Sequence, residues 1–188
     1  MIVESIRGEY LRYKALAEAA IGQLTDDQLS ARAADTDNSI AVICRHLSGN
    51  FLSRFTDFLT SDGEKPWRRR EEEFAASNVI RADLLEHWQR GWQTLLSALA
   101  PLTDDQLGLT VTIRGQPLLV REALLRSLAH ASYHVGQIVY LAKALRGKDW
   151  KYLSIPPGRS DAYNQAPAWE KPAAQAAALR TLHDAGKT

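Results

Sequence analysis

The stretch VREALLRSLAHASYHVGQIVYLAKALRG, residues 120–147, decides the reading of this chain. Its apolar residues recur every three or four positions, the spacing of one helical face, and Gly147 is placed to end the helix. The spacing predicts a helix from about Val120 to Leu145. Within it His130 and His134 lie four residues apart, so their imidazoles project from one side, about 40° apart around the axis. On a helical wheel with His130 as origin, Leu128, Leu124, Val135 and Ile138 fill an arc at about 80° to 160°. The pair therefore borders the buried face, where two ring nitrogens one turn apart can clip a single metal ion.

An earlier segment repeats the arrangement. Ile40, Ile43, Cys44, Leu47, Phe51, Phe55 and Phe58 form an apolar stripe, predicting a helix capped by Asp37 or Asn38 and running to about Thr60. His46 borders that stripe as His130 borders its own. Aligning RHLSGNF (45–51) with AHASYHV (129–135) pairs His46 with His130 and Asn50 with His134. Taken alone, an interior histidine such as His46 reads as a hydrogen-bonded core residue. Three imidazoles at one place read as metal ligands instead, because without an ion every buried ring nitrogen needs its own partner. Three histidines with a fourth position left for water make the open coordination set of a catalytic zinc or nickel site.

The remaining pattern supplies two more long helices. Val3 to Ile21 places Ile6, Tyr10, Tyr13, Leu16, Ala17 and Ala20 on one face. Ser77 or Asn78 starts the other, whose stripe runs from Ile80 through Trp88 and Trp92 to Leu99 before Pro101 ends it. LTVTIRGQPLLV (109–120) alternates β-branched residues around Arg114-Gly115 and reads as a short hairpin. The hexapeptide LTDDQL occurs at 24–29 and again at 102–107, each time between a first helix and the longer helix that follows. That echo implies two related helix-pair halves. The expected fold is all-α, a four-helix bundle with a hairpin-like excursion before the fourth helix, over residues 1–164. Residues 165–188 form a peripheral Ala-rich extension.

Composition narrows the function. The 23 Lys+Arg and 22 Asp+Glu of the 188 residues leave a formal charge of +1, so no sequence-wide field exists to hold nucleic acid or an anionic membrane. No apolar run approaches the ~20 residues of a membrane span, and the N-terminus lacks the features of a signal peptide. One cysteine, Cys44, excludes a disulfide framework. Cytoplasmic residence is expected. No HExxH, P-loop, GxGxxG or GxSxG motif is present.

Secondary candidates carry competing readings. Arg54, inside the apolar arc two turns beyond His46, can pair with a substrate carboxylate or with an acid such as Asp57. Tyr133 can donate a proton near the metal or pack on a neighbouring helix. His87 is a reserve ligand, Asp57 lies about 16 Å along the helix from His46, and Cys44 reads as a small core residue. The run Arg68–Glu73 cancels its own charge and reads as a solvated loop, whereas Trp67 is too large to be left fully in water.

The segments SIAVICRHLSGNFLSRFTDFLTSDGEKPWRRR (39–70), VTIRG (111–115), HASYHVGQIVYLAKALRGKDW (130–150) and SIPPGRS (154–160) resemble the DinB/YfiT-like superfamily of bacterial metal-binding four-helix bundles. The resemblance spans about Ile2 to Asn164. It implies one histidine on the second helix and an HxxxH pair on the fourth, mapping to His46, His130 and His134. It also implies divalent metal, often zinc or nickel, and frequent homodimers. Its members include S-transferases and isomerases using bacillithiol or mycothiol, and many described as metal-dependent hydrolases. The expected function is activation of a thiol or water at the three-histidine site on a small-molecule substrate. The alternative is a non-catalytic metal-binding stress-response protein acting as a homodimer.

Overall fold

Helical periodicity becomes helix where an apolar stripe finds a packing partner. The computed structural model describes residues 1–32, 34, 38–75 and 80–185. Among them are seven α-helices: α1 (Ile2–Ile21), α2 (Asp26–Ser30), α3 (Ile40–Phe55), α4 (Arg81–Leu99), α5 (Val120–Arg146), α6 (Ser160–Gln165) and α7 (Pro172–Ala185). The expected hairpin is present as β1 (Thr110–Ile113) and β2 (Gln116–Leu119), antiparallel with Ile113 opposite Gln116. Its turn residues Arg114 and Gly115 both have positive φ, 56° and 70°, the conformation that a two-residue hairpin turn requires. The described chain is thus mostly helical, and none of its helices is long and apolar enough to cross a membrane.

The long helices pack as α3 on α4, α1 on α5, α3 on α5 and α1 on α4. At their centre Phe51 of α3 meets Trp92 of α4 edge-on with ring centroids 4.8 Å apart, and Tyr10 of α1 approaches both, at 6.4 and 6.3 Å. Such pairs add about 0.5–1.5 kcal/mol each beyond the area they bury. Contact between α3 and α4 depends on Gly91, where a Cβ would lie 2.6 Å from the Cα of Ser48. Helix α7 lies against α1, burying Ala176 and Leu179.

Several boundaries differ from the sequence expectation. Ser39, not Asn38, caps α3, its hydroxyl accepting from Val42 N at 3.3 Å; Asp37 lies outside the described residues. Helix α3 stops at Phe55 rather than Thr60, because Asp57 turns left-handed at φ 49°. Phe58 is nevertheless buried, so the stripe reported burial correctly and conformation incorrectly. Beyond this turn the chain folds back on α3: Ser53 Oγ donates to Gly63 O at 2.8 Å and accepts from Lys65 N at 3.2 Å. Ser77 and Asn78 also fall outside the described residues, and α4 begins at Arg81 with no side-chain cap. Trp67 is 54% exposed, about half covered rather than fully in water.

One carboxylate ties the hairpin to the loop after α3. Asp62 accepts from Arg114 N at 2.8 Å, Gly115 N at 2.7 Å and Glu64 N at 2.7 Å. These three backbone donors hold its carboxyl low, at about 2. The hairpin is thereby fixed as a wall beside α3 and α5.

Candidate metal centre

His46 comes from the middle of α3 and His130 and His134 from the middle of α5, where the two helices pack. His46 is 7% exposed. The Nε2 atoms of His46 and His130 lie 3.2 Å apart and those of His134 and His130 3.1 Å apart. Four-coordinate zinc with nitrogens at about 2.0–2.1 Å spaces them roughly 3.3–3.4 Å apart, so the three rings stand at nearly the required separation.

The outer nitrogens decide which lone pairs face inward. His46 Nδ1 donates to Glu73 Oε2 at 3.0 Å, which leaves its Nε2 as an acceptor. His134 Nδ1 donates to Gln137 Oε1 at 2.8 Å, with the same result. Two unprotonated Nε2 atoms therefore face His130, whose single Nε2 proton cannot serve both in good geometry. A cation satisfies all three at once. The residues present fit a divalent metal, in the arrangement where a carboxylate or carbonyl outside the site orients a ligand ring; His46 and His134 are held in this way, while the buried His130 Nδ1 has no partner among the described residues.

Electrostatics agrees with neutral ligands. Burial, followed by the proximity of His134 and His46, presses His130 down to about 3, and burial also lowers His134. Neutral imidazole is the form that binds metal. Burial pushes the Glu73 carboxyl up, but hydrogen bonds from His46 and Arg68 outweigh it and hold the group below its ordinary value.

Glu73 reaches His46 by a route the sequence does not announce. The segment Arg70–Phe74 forms a 3₁₀ turn over α3, placing Phe74 against the His46 ring at 4.9 Å. Arg68, with a side chain only 2% exposed, donates from Nε and Nη2 to the two Glu73 oxygens, each at 2.9 Å. The carboxylate lies on Gly49, where an added Cβ would stand 2.8 Å from Glu73 Cδ, so only glycine leaves room for it. The Arg68–Glu73 run is therefore not uniformly solvated: its two ends are buried, and Arg69, Arg70, Glu71 and Glu72 stay largely in water.

A cavity of about 350 Å³ opens beside the site, lined by His46 and His130 and walled by the hairpin residues Val111 and Ile113. Arg54 also lines it, but its guanidinium donates to Glu64 Oε2, at 3.1 Å from both Nη1 and Nη2, and to Gly63 O, rather than pairing with Asp57. Tyr133 is 63% exposed with its ring against His134. His87 faces a different cavity, on the far side of Glu73, and is not part of the cluster. Cys44 is buried, as its stripe position implies.

No curated protein matches the chain. A family model described as "Protein of unknown function (DUF1572)" matches residues 1–159, which include all three histidines, Glu73, Gln137 and the hairpin, and the chain belongs to that family.

Proposed function

We propose that the protein is a divalent-metal-dependent enzyme, built on a four-helix bundle of the DinB/YfiT-like kind over residues 1–164, that activates a thiol or a water molecule for attack on a small-molecule substrate. The observation carrying this reading is the convergence of three Nε2 atoms, two of them fixed as acceptors by Glu73 and Gln137. A cation there, zinc or nickel by donor type, supplies the Lewis acidity that brings a bound thiol or water to ionise near pH 7.

The protein's own residues do the rest. His46, His130 and His134 present their Nε2 atoms, Glu73 and Gln137 hold two rings in register, and the cavity admits a substrate on the side of His46 and His130. Its described lining contains no carboxylate, which supports ionisation driven by the cation rather than by a side-chain base. The chemistry that fits is S-transfer from a low-molecular-weight thiol or hydrolysis. Cytoplasmic residence and a homodimer accompany this proposal, with residues 165–188 as an extension whose helix α7 packs on α1.

The test is metal analysis of the purified full chain followed by turnover of an electrophile with and without a low-molecular-weight thiol. Thiol consumption marks a transferase and product formation without thiol a hydrolase. Absence of both in zinc- and nickel-loaded protein overturns the enzymatic reading.

A further inference from the structure

Resting on the metal-centre reading, we propose that the cavity beside the three histidines is an oxyanion subsite, in which Arg68 and Arg126 take a carboxylate or phosphate group of the substrate. Arg54, Arg68, Arg70, Arg114 and Arg126 all line this cavity, and among the described residues no Asp or Glu does. Acids behind the wall offset part of that charge. Glu64 serves Arg54 and Arg114 together, Glu71 pairs with Arg70, and Glu73 pairs with Arg68. Five guanidinium groups against three carboxylates leave an excess of positive charge facing a pocket with low-dielectric walls, where it focuses on an entering anion.

Arg54 is set aside with Glu64, and Arg70 and Arg114 each give one guanidinium nitrogen to a carboxylate; the remaining two of the five, Arg126 and Arg68, are the most telling. Arg126 is exposed at the cavity and forms no hydrogen bond or ion pair with the described residues. Arg68 is the sharper case. One edge of its guanidinium, Nε and Nη2, is taken by Glu73, while Nη1 is buried with no partner among the described residues. Nη1 lies on the edge turned away from Glu73, and Arg68 lines both this cavity and the one that Glu73 and His87 share. A buried cationic N–H without an acceptor is costly, and an oxyanion in the cavity would satisfy it with a charge-assisted hydrogen bond.

Position connects this subsite to the metal centre. Glu73 bridges Arg68 and His46, so an anion on Nη1 stands one carboxylate away from a ligand ring. Phe55, Phe58, Val111 and Ile113 provide apolar wall for the carbon skeleton between the two. The substrate class that fits is a small acidic molecule: a carboxylate or phosphate at one end, a short apolar stretch, and the reacting atom near His46 and His130.

The experiment is calorimetric titration of the full chain, metal-stripped and zinc-loaded, with malonate, inorganic phosphate and neutral malonamide as probes. Malonate or phosphate is expected to bind in both metal states with salt-dependent affinity, and malonamide not to bind. The tighter of the two anions identifies the group that the substrate carries. Arg126→Gln, at an exposed position, should weaken anion binding about tenfold or more while leaving zinc content unchanged; Arg68→Lys, which keeps the charge but loses the fork, should weaken anion binding as much and, by loosening Glu73, lower zinc affinity as well. Anion binding equal in wild type and Arg126→Gln, equal binding of malonamide, or no anion binding overturns the subsite. Anion binding by a chain that takes up no zinc would sink the metal centre and leave the subsite standing.

Discussion

His46 and His134 are held by the same kind of bond through opposite routes. On α5 the partner is local: Gln137 sits three residues after His134, and the helix itself brings amide to ring. On α3 the partner is remote, for Glu73 is 27 residues away and arrives only because α3 ends early and the chain doubles back. One ligand is oriented by secondary structure and the other by tertiary structure. The second is charged, buried and braced by Arg68, so it should govern metal affinity more strongly than the neutral local partner.

Removing a ligand should have the largest effect. His134→Ala is expected to lower metal affinity by well over the roughly 10–100-fold that loss of an outer partner costs, read as metal content after dialysis against competing chelator. Retention of full stoichiometry would mean that the rings do not share an ion. Glu73→Gln should follow, weakening binding about 10–100-fold, and Gly49→Ala should reproduce it with helix content unchanged, because the added methyl group displaces the same carboxylate. If Gly49→Ala binds metal normally, the remote route is not what positions His46. Gln137→Ala should cost less, about tenfold or under, since helix geometry still limits the His134 ring. Equal losses from Glu73→Gln and Gln137→Ala would erase the contrast between the two routes.

Acidity should produce the smallest change. Unfolded imidazole takes its proton near pH 6.5, whereas burial and its neighbours keep His130 unprotonated down to about 3. Across that window the unfolded chain binds more protons than the folded one, so stability is complete above it and declines as pH falls. The metal-free protein should show a lower Tm at pH 5 than at pH 7 by circular dichroism. A flat or opposite trend would contradict the burial of that ring.

The contrast also explains what could be read in the sequence. The His130–His134 pair is legible because four residues of helix fix its geometry, and His46 because the two halves echo each other. Gln137 was available to the same reasoning. Glu73 was not, since a run of three arginines and three glutamates says nothing about which ends are buried; burial there follows from loop closure, and its only trace is Gly49. Shared sequence did not mean shared structure either. The first LTDDQL makes α2, with Asp26 paired to Arg81 at 2.6 Å; the second makes a 3₁₀ turn whose Asp104 accepts from Ile2 N and Val3 N at 2.9 and 3.0 Å at the start of α1. The local turn repeats, while its partners and helix type depend on the surrounding fold.

The close approach at Gly91 gives the helix interface a chemical meaning. Ser48, against which Gly91 lies, is two residues from His46, so any side chain at position 91 wedges α3 outward and carries that imidazole away from the pair on α5. A single methyl group on a helix that contributes no ligand would thus detune the coordination sphere, and the tolerance of this interior for mutation is set by bond lengths to an ion as much as by packing.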